Sequence, residues 1–349
     1  MPPIVAPPVA PMLAKLARSI PIGDYLYEPK WDGFRCLVFR DGDKLTLQSR
    51  GGKPLDRYFP ELVDRDGNDP LRRQLPPQVV LDGELVVPHG GTLDFDALSN
   101  RIHPATSRVE RLAAETPARF VAFDVLAVGE RDLRDVAFAE RREELERLLA
   151  DAAPPLHLTP ATPDPDVAAD WFDRFEGAGL DGVIAKPRDG VYAAGERTLL
   201  KIKHERTADV VVAGFRWHKD GNGVGSLLLG LWDGDKLIPV GVASSFTASR
   251  RGQLIDELAG HRTDGDEHPW NRQAAPRGVN RWNAGRDTSW EPLDCTLVAE
   301  VAYEQLTGTR FRHSARFRRW RPDRDAASCT FAQLDVPPPA EIDLVFATR

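Results

Sequence analysis

The pattern of apolar residues changes near residue 206, and this change restricts the fold more than any other feature of the sequence. Before it, short apolar strands are interleaved with amphipathic helices, whereas after it strands predominate. At 349 residues the chain also exceeds one domain of average size. The sequence therefore predicts two domains, residues 1–206 and residues 207–349.

The first domain is predicted to mix strands and helices, and the second to consist mostly of strands. Asp41-Gly42-Asp43 between two apolar runs is typical of a hairpin turn, and so is the glycine-rich segment 221–225. The predicted strands are 25–30, 35–40, 44–49, 79–87, 120–128, 210–215, 227–232, 237–242 and 296–303, and the predicted helices are 138–150, 167–177 and 253–259. The second domain is therefore predicted to be a small β-barrel with one inserted helix.

Composition restricts the class of protein. With 42% hydrophobic and 28% charged residues, the chain is typical of globular proteins. No apolar run approaches the length of a membrane span, and the proline-rich N-terminus does not resemble a signal peptide. Cys36, Cys295 and Cys329 lie far apart, so we predict reduced thiols and no cysteine-bound zinc. These features predict a cytoplasmic protein without a membrane partner, and we expect a monomer.

The charge is distributed unevenly along the chain. A net charge of −7 argues weakly against a protein that coats nucleic acid. Residues 310–324, the basic stretch, nevertheless contain a single acid, Asp323, and seven arginines: Arg310, Arg312, Arg316, Arg318, Arg319, Arg321 and Arg324. This stretch is a candidate phosphate-binding surface.

The most informative string is Glu28-Pro29-Lys30-Trp31-Asp32-Gly33-Phe34-Arg35. A lysine after a strand, followed by a tight Asp-Gly turn, is often only the start of a hairpin. The functional alternative is that the amine of Lys30 attacks a phosphorus atom. That reaction requires an unprotonated lysine, whose pKa neighbouring positive charges would lower.

This string resembles the first motif of the covalent nucleotidyltransferases, which include ATP-dependent DNA ligases, RNA ligases and mRNA capping enzymes. Further matches follow in family order: Ser49-Arg50-Gly51-Gly52, Leu81-Asp82-Gly83-Glu84, Phe120-Val121-Ala122-Phe123-Asp124, Asp181-Gly182-Val183-Ile184-Ala185-Lys186, Leu200-Lys201-Ile202-Lys203 and Arg321-Pro322-Asp323-Arg324. The form of the first motif and the compact length resemble bacterial DNA ligases of the ligase C and ligase D type.

The resemblance implies an α+β fold, with an N-terminal nucleotidyltransferase domain of antiparallel sheets and flanking helices and a C-terminal OB-fold barrel. It implies ATP as cofactor, with AMP carried on Lys30, and Mg²⁺, with Mn²⁺ as an alternative. The implied catalytic residues are Lys30, Arg35, Lys201 and Lys203. The implied nucleotide-binding residues are Glu28, Arg50, Glu84, Phe123, Lys186, Lys201, Lys203, Arg321 and Arg324. The implied metal ligands are Glu84 and Asp181.

Each of these residues also has a purely structural explanation when it is considered alone. Phe123 in an apolar strand is most often a core residue, and Lys201 and Lys203 on one face of a strand are often two solvated lysines. Asp181 departs from the family pattern, in which the motif begins with glutamate. The shorter carboxylate leaves the metal geometry there open.

Other classes of chemistry have little support in the sequence. There is no P-loop, no H-E-x-x-H zinc motif and no G-x-S-x-G elbow. The predicted function is an ATP-dependent DNA ligase that seals nicked double-stranded DNA, with a repair role beside a gap-filling polymerase or primase. The alternatives are an RNA ligase, a GTP-using capping enzyme, and a non-catalytic OB-fold module that binds nucleic acid.

Overall fold

The computed structural model describes residues 4–63, 70–264, 268–270, 289–304, 306–334 and 340–347. The strands are β1 (Leu13–Leu16), β2 (Tyr25–Pro29), β3 (Phe34–Asp41), β4 (Lys44–Ser49), β5 (Gln78–Val86), β6 (Pro88–His89), β7 (Thr92–Leu93), β8 (Arg119–Val128), β9 (Arg131–Asp132), β10 (Leu156–Leu158), β11 (Val183–Pro187), β12 (Arg197–Ile202), β13 (Arg206–Trp217), β14 (Val224–Asp233), β15 (Lys236–Ala243), β16 (Glu291–Pro292), β17 (Val298–Tyr303), β18 (Leu306–Thr307), β19 (Arg310–Phe311) and β20 (Arg316–Trp320). The helices are α1 (Pro70–Gln74), α2 (Phe95–Asn100), α3 (Thr106–Glu115), α4 (Phe138–Leu148), α5 (Pro165–Arg174), α6 (Ala248–Leu258) and α7 (Ile342–Ala347). Each strand and helix predicted from the sequence is confirmed, with shifts of a few residues at its ends.

Two sheets form the framework of the N-terminal part of the chain. The first has the strand order β1-β12-β11-β2, and the second β10-β8-β5-β3-β4 with β9 beside β8. Neighbouring strands are antiparallel except for β1 with β12 and β10 with β8. Apolar side chains of both sheets share one core cluster, in which Leu37, Val80 and Leu126 of the second sheet meet Leu199 of the first. Burial of this cluster holds the two sheets together.

The outer face of each sheet is covered by helices. Tyr27, Val183 and Ile202 point away from the second sheet and pack with Ala168 of α5. On the other sheet, Cys36 and Val38 alternate with the residues that face the first sheet, and they pack with Leu145 of α4. The other face of each sheet points toward the neighbouring sheet. The polar residues on these two facing surfaces therefore lie between the sheets.

The C-terminal part of the chain is built on a five-stranded antiparallel sheet with the order β15-β14-β13-β17-β20, and β16 pairs with β13. Segment 218–223 forms the predicted hairpin between β13 and β14. Helix α6 lies between the third and fourth strands of this sheet in chain order, and its Leu254 and Leu258 are buried in the core. This arrangement agrees with the predicted barrel, and the prediction of an α+β fold is confirmed.

The chain divides into two compact units. The first contains residues 1–203 and 337–349, and the second contains residues 204–336. The sequence predicts a boundary at residue 206, with all later residues in the barrel. The structure differs at residues 340–347, because Ile342 and Val345 of α7 are buried in an apolar cluster of the first unit that also contains Trp31 and Trp171.

Cys36, Cys295 and Cys329 are free thiols, as predicted. None of the helices in the part of the chain that the structure describes has the length and apolar character needed to span a membrane.

Candidate active site

Three strands of the first sheet place a row of side chains side by side. Glu28 of β2 pairs in register with Ile184 of β11, and Ile184 pairs with Lys201 of β12. Lys186 lies two residues further along β11 and therefore on the same face. This face points toward the second sheet, so Glu28, Lys186 and Lys201 enter the space between the two sheets.

The second sheet supplies the opposite wall of that space. Arg35 of β3 lies directly opposite Glu84 of β5 in the antiparallel ladder, and β8 contributes Phe123. The two walls enclose a cavity of about 190 Å³. The residues predicted from the sequence that line it are Glu28, Lys30, Arg35, Arg50, Glu84, Phe123, Lys186 and Lys201.

Backbone hydrogen bonds fix Lys30 just beyond the end of β2. Its N–H donates to the carbonyl of Gly182 at 2.8 Å, and its own carbonyl accepts from Asp181 N at 2.9 Å. Gly33 completes the turn after it, since a Cβ at that position would lie 2.0 Å from the Leu85 carbonyl oxygen. The predicted tight turn therefore requires glycine at position 33 because the backbone of β5 approaches it so closely.

The Lys30 side chain points to a carboxylate that it shares with a second lysine. Lys30 Nζ lies 2.5 Å and Lys203 Nζ 2.8 Å from Oδ2 of Asp181, which is 8% exposed. Burial alone would raise the pKa of Asp181, but the charges and hydrogen bonds of the two lysines lower it below its usual value. Asp181 and Lys203 are therefore connected to the cavity by the ion pair between Asp181 and Lys30, which lines it.

Glu28 is buried between two cations. Its Oε2 accepts from Lys186 Nζ at 2.7 Å, and its Oε1 lies 3.5 Å from Arg142 Nη1. Within the described part of the chain, neither Glu28 Oε1 nor Arg142 Nη1 has a hydrogen-bond partner. Burial raises the pKa of Glu28 and lowers that of Lys186, while the attraction between the two groups opposes both shifts. Glu28 is therefore a buried acceptor with unused hydrogen-bonding capacity at the cavity wall.

Arg35 is held by a buried carboxylate. Its Nε and Nη2 each donate to Asp82 at 2.6 Å, and the hydroxyl of Tyr192 donates to the same carboxylate at 2.6 Å. The guanidinium lies 4.3 Å from the ring centroid of Phe123, and Lys186 Nζ lies 4.7 Å from the same centroid. Arg35 therefore covers part of the Phe123 ring, and a purine can stack only on the part of that ring that remains uncovered.

Glu84 lines the same cavity as Arg35 and Lys30, whose positive charges act on its carboxyl group. Burial raises its pKa to about 7, although the positive charges of Arg35 and Lys30 act in the opposite direction. Among the residues that the structure describes, no group of three or more histidine, cysteine, aspartate and glutamate side chains is arranged to hold a metal. Mg²⁺ commonly takes only one or two protein carboxylates and completes its shell with water and substrate phosphates. Glu84 at the cavity wall and Asp181 beside the Lys30 amine are the two carboxylates that fit that mode of binding.

Two of the predicted nucleotide-binding residues, Arg321 and Arg324, belong to the second unit. There Arg321 Nη1 donates to both oxygens of Asp209 at 3.1 Å, and Arg324 Nε lies 3.8 Å from the same carboxylate. Hydrogen bonding from Arg321 also lowers the pKa of Asp323 to about 2. Among the arginines of the basic stretch that have an acidic partner are Arg316, Arg318, Arg319, Arg321 and Arg324. The positive charge of this stretch is therefore partly neutralised within the unit.

Several residues that shape the site were missed by the sequence analysis. Tyr192 supports Arg35 through Asp82, and Arg142 faces Glu28. Arg141 donates to both oxygens of Asp124, which follows Phe123, at 2.8 and 2.9 Å. Arg141 and Arg142 lie on a helix rich in charged residues, so no local pattern distinguishes them from solvated side chains.

Two families of known proteins match the sequence. The family described as "ATP dependent DNA ligase domain" matches residues 11–203, and "ATP dependent DNA ligase C terminal region" matches residues 220–324. DNA ligase C2 of Mycolicibacterium smegmatis is 54% identical over 346 residues, which is 96% of each chain. DNA ligase C of Mycobacterium tuberculosis is 51% identical over 347 residues, which is 95% of each chain. A solved structure from a study of Lig E DNA ligases shares the fold, with a TM-score of 0.56 and 19% identity over 89% of this chain and 99% of that chain.

Proposed function

This chain belongs to the ATP-dependent DNA ligases, and from that premise we propose that it seals nicks in duplex DNA through an AMP group carried on Lys30. The observation that carries the proposal is the position of Lys30, whose amine is fixed at the wall of a cavity lined by the family's other motif residues. Family membership favours a DNA ligase over the RNA ligase, capping and non-catalytic alternatives. ATP is accordingly the nucleotide that we assign to the cavity.

The first step joins the Lys30 nitrogen to the α-phosphorus of ATP. The P–O bond to the β-phosphate breaks and pyrophosphate leaves, while the proton of the attacking amine passes to solvent. Asp181 orients the amine, because its lowered pKa keeps it a carboxylate that accepts the Lys30 hydrogen bond. Lys203, which contacts the same carboxylate, and Lys201 on the cavity wall are the cations that we assign to the α-phosphate.

Recognition of the base is assigned to Glu28, Lys186 and Phe123. Glu28 Oε1 is an unused acceptor, and the exocyclic amine of adenine is a donor, whereas guanine has a carbonyl oxygen at that position. A carboxylate facing that carbonyl would be repelled. This complementarity supports the choice of ATP over GTP, with Phe123 stacking on the base and Arg50 near the ribose or the substrate phosphate.

Mg²⁺, or Mn²⁺ in its place, is assigned to Glu84 and Asp181 together with oxygens of the substrate. When bound there, the ion would neutralise negative charge on the phosphates. Glu84 must be charged to act as its ligand, and a carboxyl group with a pKa of about 7 is mostly neutral below that pH and mostly charged above it.

The apparent affinity for Mg²⁺ during self-adenylation is therefore expected to rise as the pH increases through about 7. From about pH 6 to pH 8 the charged fraction of Glu84 grows about tenfold, and the half-saturating Mg²⁺ concentration should fall by a similar factor at saturating ATP. The measurement is a Mg²⁺ titration of lysyl-AMP formation at each pH. In Glu84→Gln the pH dependence should be lost, and an unchanged pH dependence in that variant would show that another group is responsible.

Arg321 and Arg324 are assigned to the β- and γ-phosphates during the first step only. Arg321→Ala is expected to slow self-adenylation by about 10²-fold, the scale of losing one charge-stabilising donor. The variant should still seal DNA that is already adenylated at the nick. Arg319→Ala, which removes an exposed arginine of the same strand region, serves as the matched control. Self-adenylation of Arg321→Ala at the normal rate would contradict the assignment.

The second and third steps take place on DNA. The 5′-phosphate at a nick attacks the lysine-bound AMP, which frees Lys30 and leaves an adenylated DNA end. The neighbouring 3′-hydroxyl then displaces AMP and closes the backbone. We propose nicked duplex DNA as the partner, a role in repair after a gap-filling polymerase or primase, and action as a cytoplasmic monomer.

The experiment that tests the proposal is intact-mass measurement of the protein. After treatment with pyrophosphate to remove any AMP already carried, the protein is incubated with ATP and Mg²⁺, and then with nicked DNA. We expect the mass to increase by one AMP group and to return to its starting value as the nick is sealed. A mass that stays constant with ATP, or that increases equally with GTP, would contradict the assigned chemistry.

A further inference from the structure

Helix α7 packs its aromatic residue against the segment that carries Lys30. Phe346 stacks on Trp31 with ring centroids 5.3 Å apart and an interplanar angle of 18°. It also stacks on His157 of β10 at 4.2 Å, and the guanidinium of Arg119 lies 4.9 Å from its centroid. Phe346 therefore lies among three side chains of the first unit, one of which directly follows Lys30 in the chain.

Trp31 is restrained on several sides. It is 5% exposed, and its indole N–H donates to Thr159 Oγ1 at 2.8 Å. It shares an apolar cluster with Ile342 and Val345 of α7, and it also lines the cavity. Phe346 thus adds to the packing around the residue that directly follows Lys30 in the chain.

Other contacts fix the helix itself. Ile342 N donates to the carbonyl of Gly91 at 2.8 Å, and Asp343 forms an ion pair with Arg119 at 3.5 Å. Burial and the nearby charge of Arg119 lower the pKa of His157 to about 4, so the stack on Phe346 contains a neutral imidazole at working pH. The stack is therefore an apolar and aromatic contact that persists across the pH range in which the enzyme would act.

We propose that α7 is a positioning element for the nucleophile, acting through the contact of Phe346 with Trp31. This inference rests on the proposed function of Lys30. Attack on the α-phosphorus requires the amine to lie in line with the leaving pyrophosphate, and a displacement of about 1 Å can reduce a rate by about 10²-fold. A shift of Trp31 moves the adjoining backbone of Lys30. The closing step on adenylated DNA does not use the Lys30 amine as nucleophile, so it should be insensitive to that shift.

The test compares two rates in the same variants at a temperature well below unfolding. The first is single-turnover formation of lysyl-AMP, and the second is sealing of a nick that has been adenylated beforehand. Phe346→Ala is expected to slow the first about tenfold at saturating ATP and to change the second less than twofold. Phe346→Tyr, which keeps the stacked ring, should restore the first rate. Leu344→Ala, at a 60% exposed position of the same helix, is the matched control and should resemble the wild type.

The outcomes separate this inference from the proposed function. If Phe346→Ala lowers both rates in proportion, or lowers neither, α7 does not position the nucleophile. Phe346→Leu, which keeps apolar volume without a stacked ring, is the second variant if the alanine protein does not fold, and a normal first rate in it would overturn the proposal. If the wild-type protein forms no AMP adduct on Lys30, the proposed function itself fails.

Discussion

Replacing Lys30 with arginine is expected to abolish formation of the AMP adduct, with a loss of at least about 10⁴-fold, the scale at which removal of a covalent nucleophile acts in other enzymes. The guanidinium stays protonated and is a poor nucleophile, but it can still donate to Asp181 in place of the Lys30 amine. The variant therefore removes the reaction while it keeps a positive charge beside the buried carboxylate. The measurement is the intact mass after incubation with ATP and Mg²⁺.

The control for Lys30→Arg is a nick that already carries AMP on its 5′-phosphate. Because the adenylate is then supplied on the DNA, the variant is expected to close the backbone without the first two steps. Sealing of this substrate would show that the variant is folded and binds DNA. An adduct in Lys30→Arg comparable to the wild type would assign the AMP to another residue and remove the basis of the proposed function.

Arg35→Met is expected to destabilise the protein by about 3–5 kcal/mol, because it leaves the carboxylate of Asp82 buried without its cation. Asp82 is fully buried, and among the described residues Arg35 donates two side-chain hydrogen bonds to it and Tyr192 donates one. The same substitution removes a cation from the cavity wall, so self-adenylation should also fall. Denaturant unfolding and single-turnover adenylation measure the two effects separately.

The double variant Arg35→Met, Asp82→Leu separates folding from chemistry. Replacing both members of a buried ion pair with apolar side chains of similar volume is often neutral for stability. We therefore expect most of the lost unfolding free energy to return, apart from about 1 kcal/mol for the Tyr192 hydroxyl left without its acceptor. Self-adenylation should remain impaired. Recovery of both properties would mean that Arg35 has only a structural role.

Much of the site followed from local sequence patterns. Successive side chains of a strand point to opposite faces of its sheet, so the face of each residue can be predicted from the sequence. This alternation, with the register of the strands, places Glu28, Lys186 and Lys201 on one face of the first sheet. The resemblance of the motifs predicts that residues from different strands belong to one site. Eight of them line one cavity because the sheets that carry them share an apolar core.

The supporting residues were not predictable in the same way. Tyr192 lies 110 residues from Asp82, and Arg142 is 114 residues from Glu28 in the sequence. Contacts at such separation depend on how the sheets and helices pack, and a single sequence records nothing of that packing. The assignment of residues 340–347 to the barrel had the same cause, since α7 is short and its partners lie more than 150 residues earlier.

Asp181 illustrates how a departure from a family pattern is accommodated. The longer glutamate was expected at this position, and its absence left the metal geometry open. In the structure, Asp181 N donates to the Lys30 carbonyl at 2.9 Å, which holds the backbone of Asp181 close to that of Lys30. The shorter side chain still reaches Nζ of both Lys30 and Lys203. A role in holding the lysines thus remains available to aspartate.

The division of the chain has a consequence for the order of biosynthesis. The first unit contains residues on both sides of segment 204–336, so the ribosome must make the whole second unit before it makes α7. Domains generally fold as they emerge, and the N-terminal one folds first. Here the unit that begins folding first is the last to be completed, because Trp31 lacks the stacked ring of Phe346 until translation has passed residue 346. A nascent chain would therefore contain Lys30 long before it contains the helix that packs against Trp31.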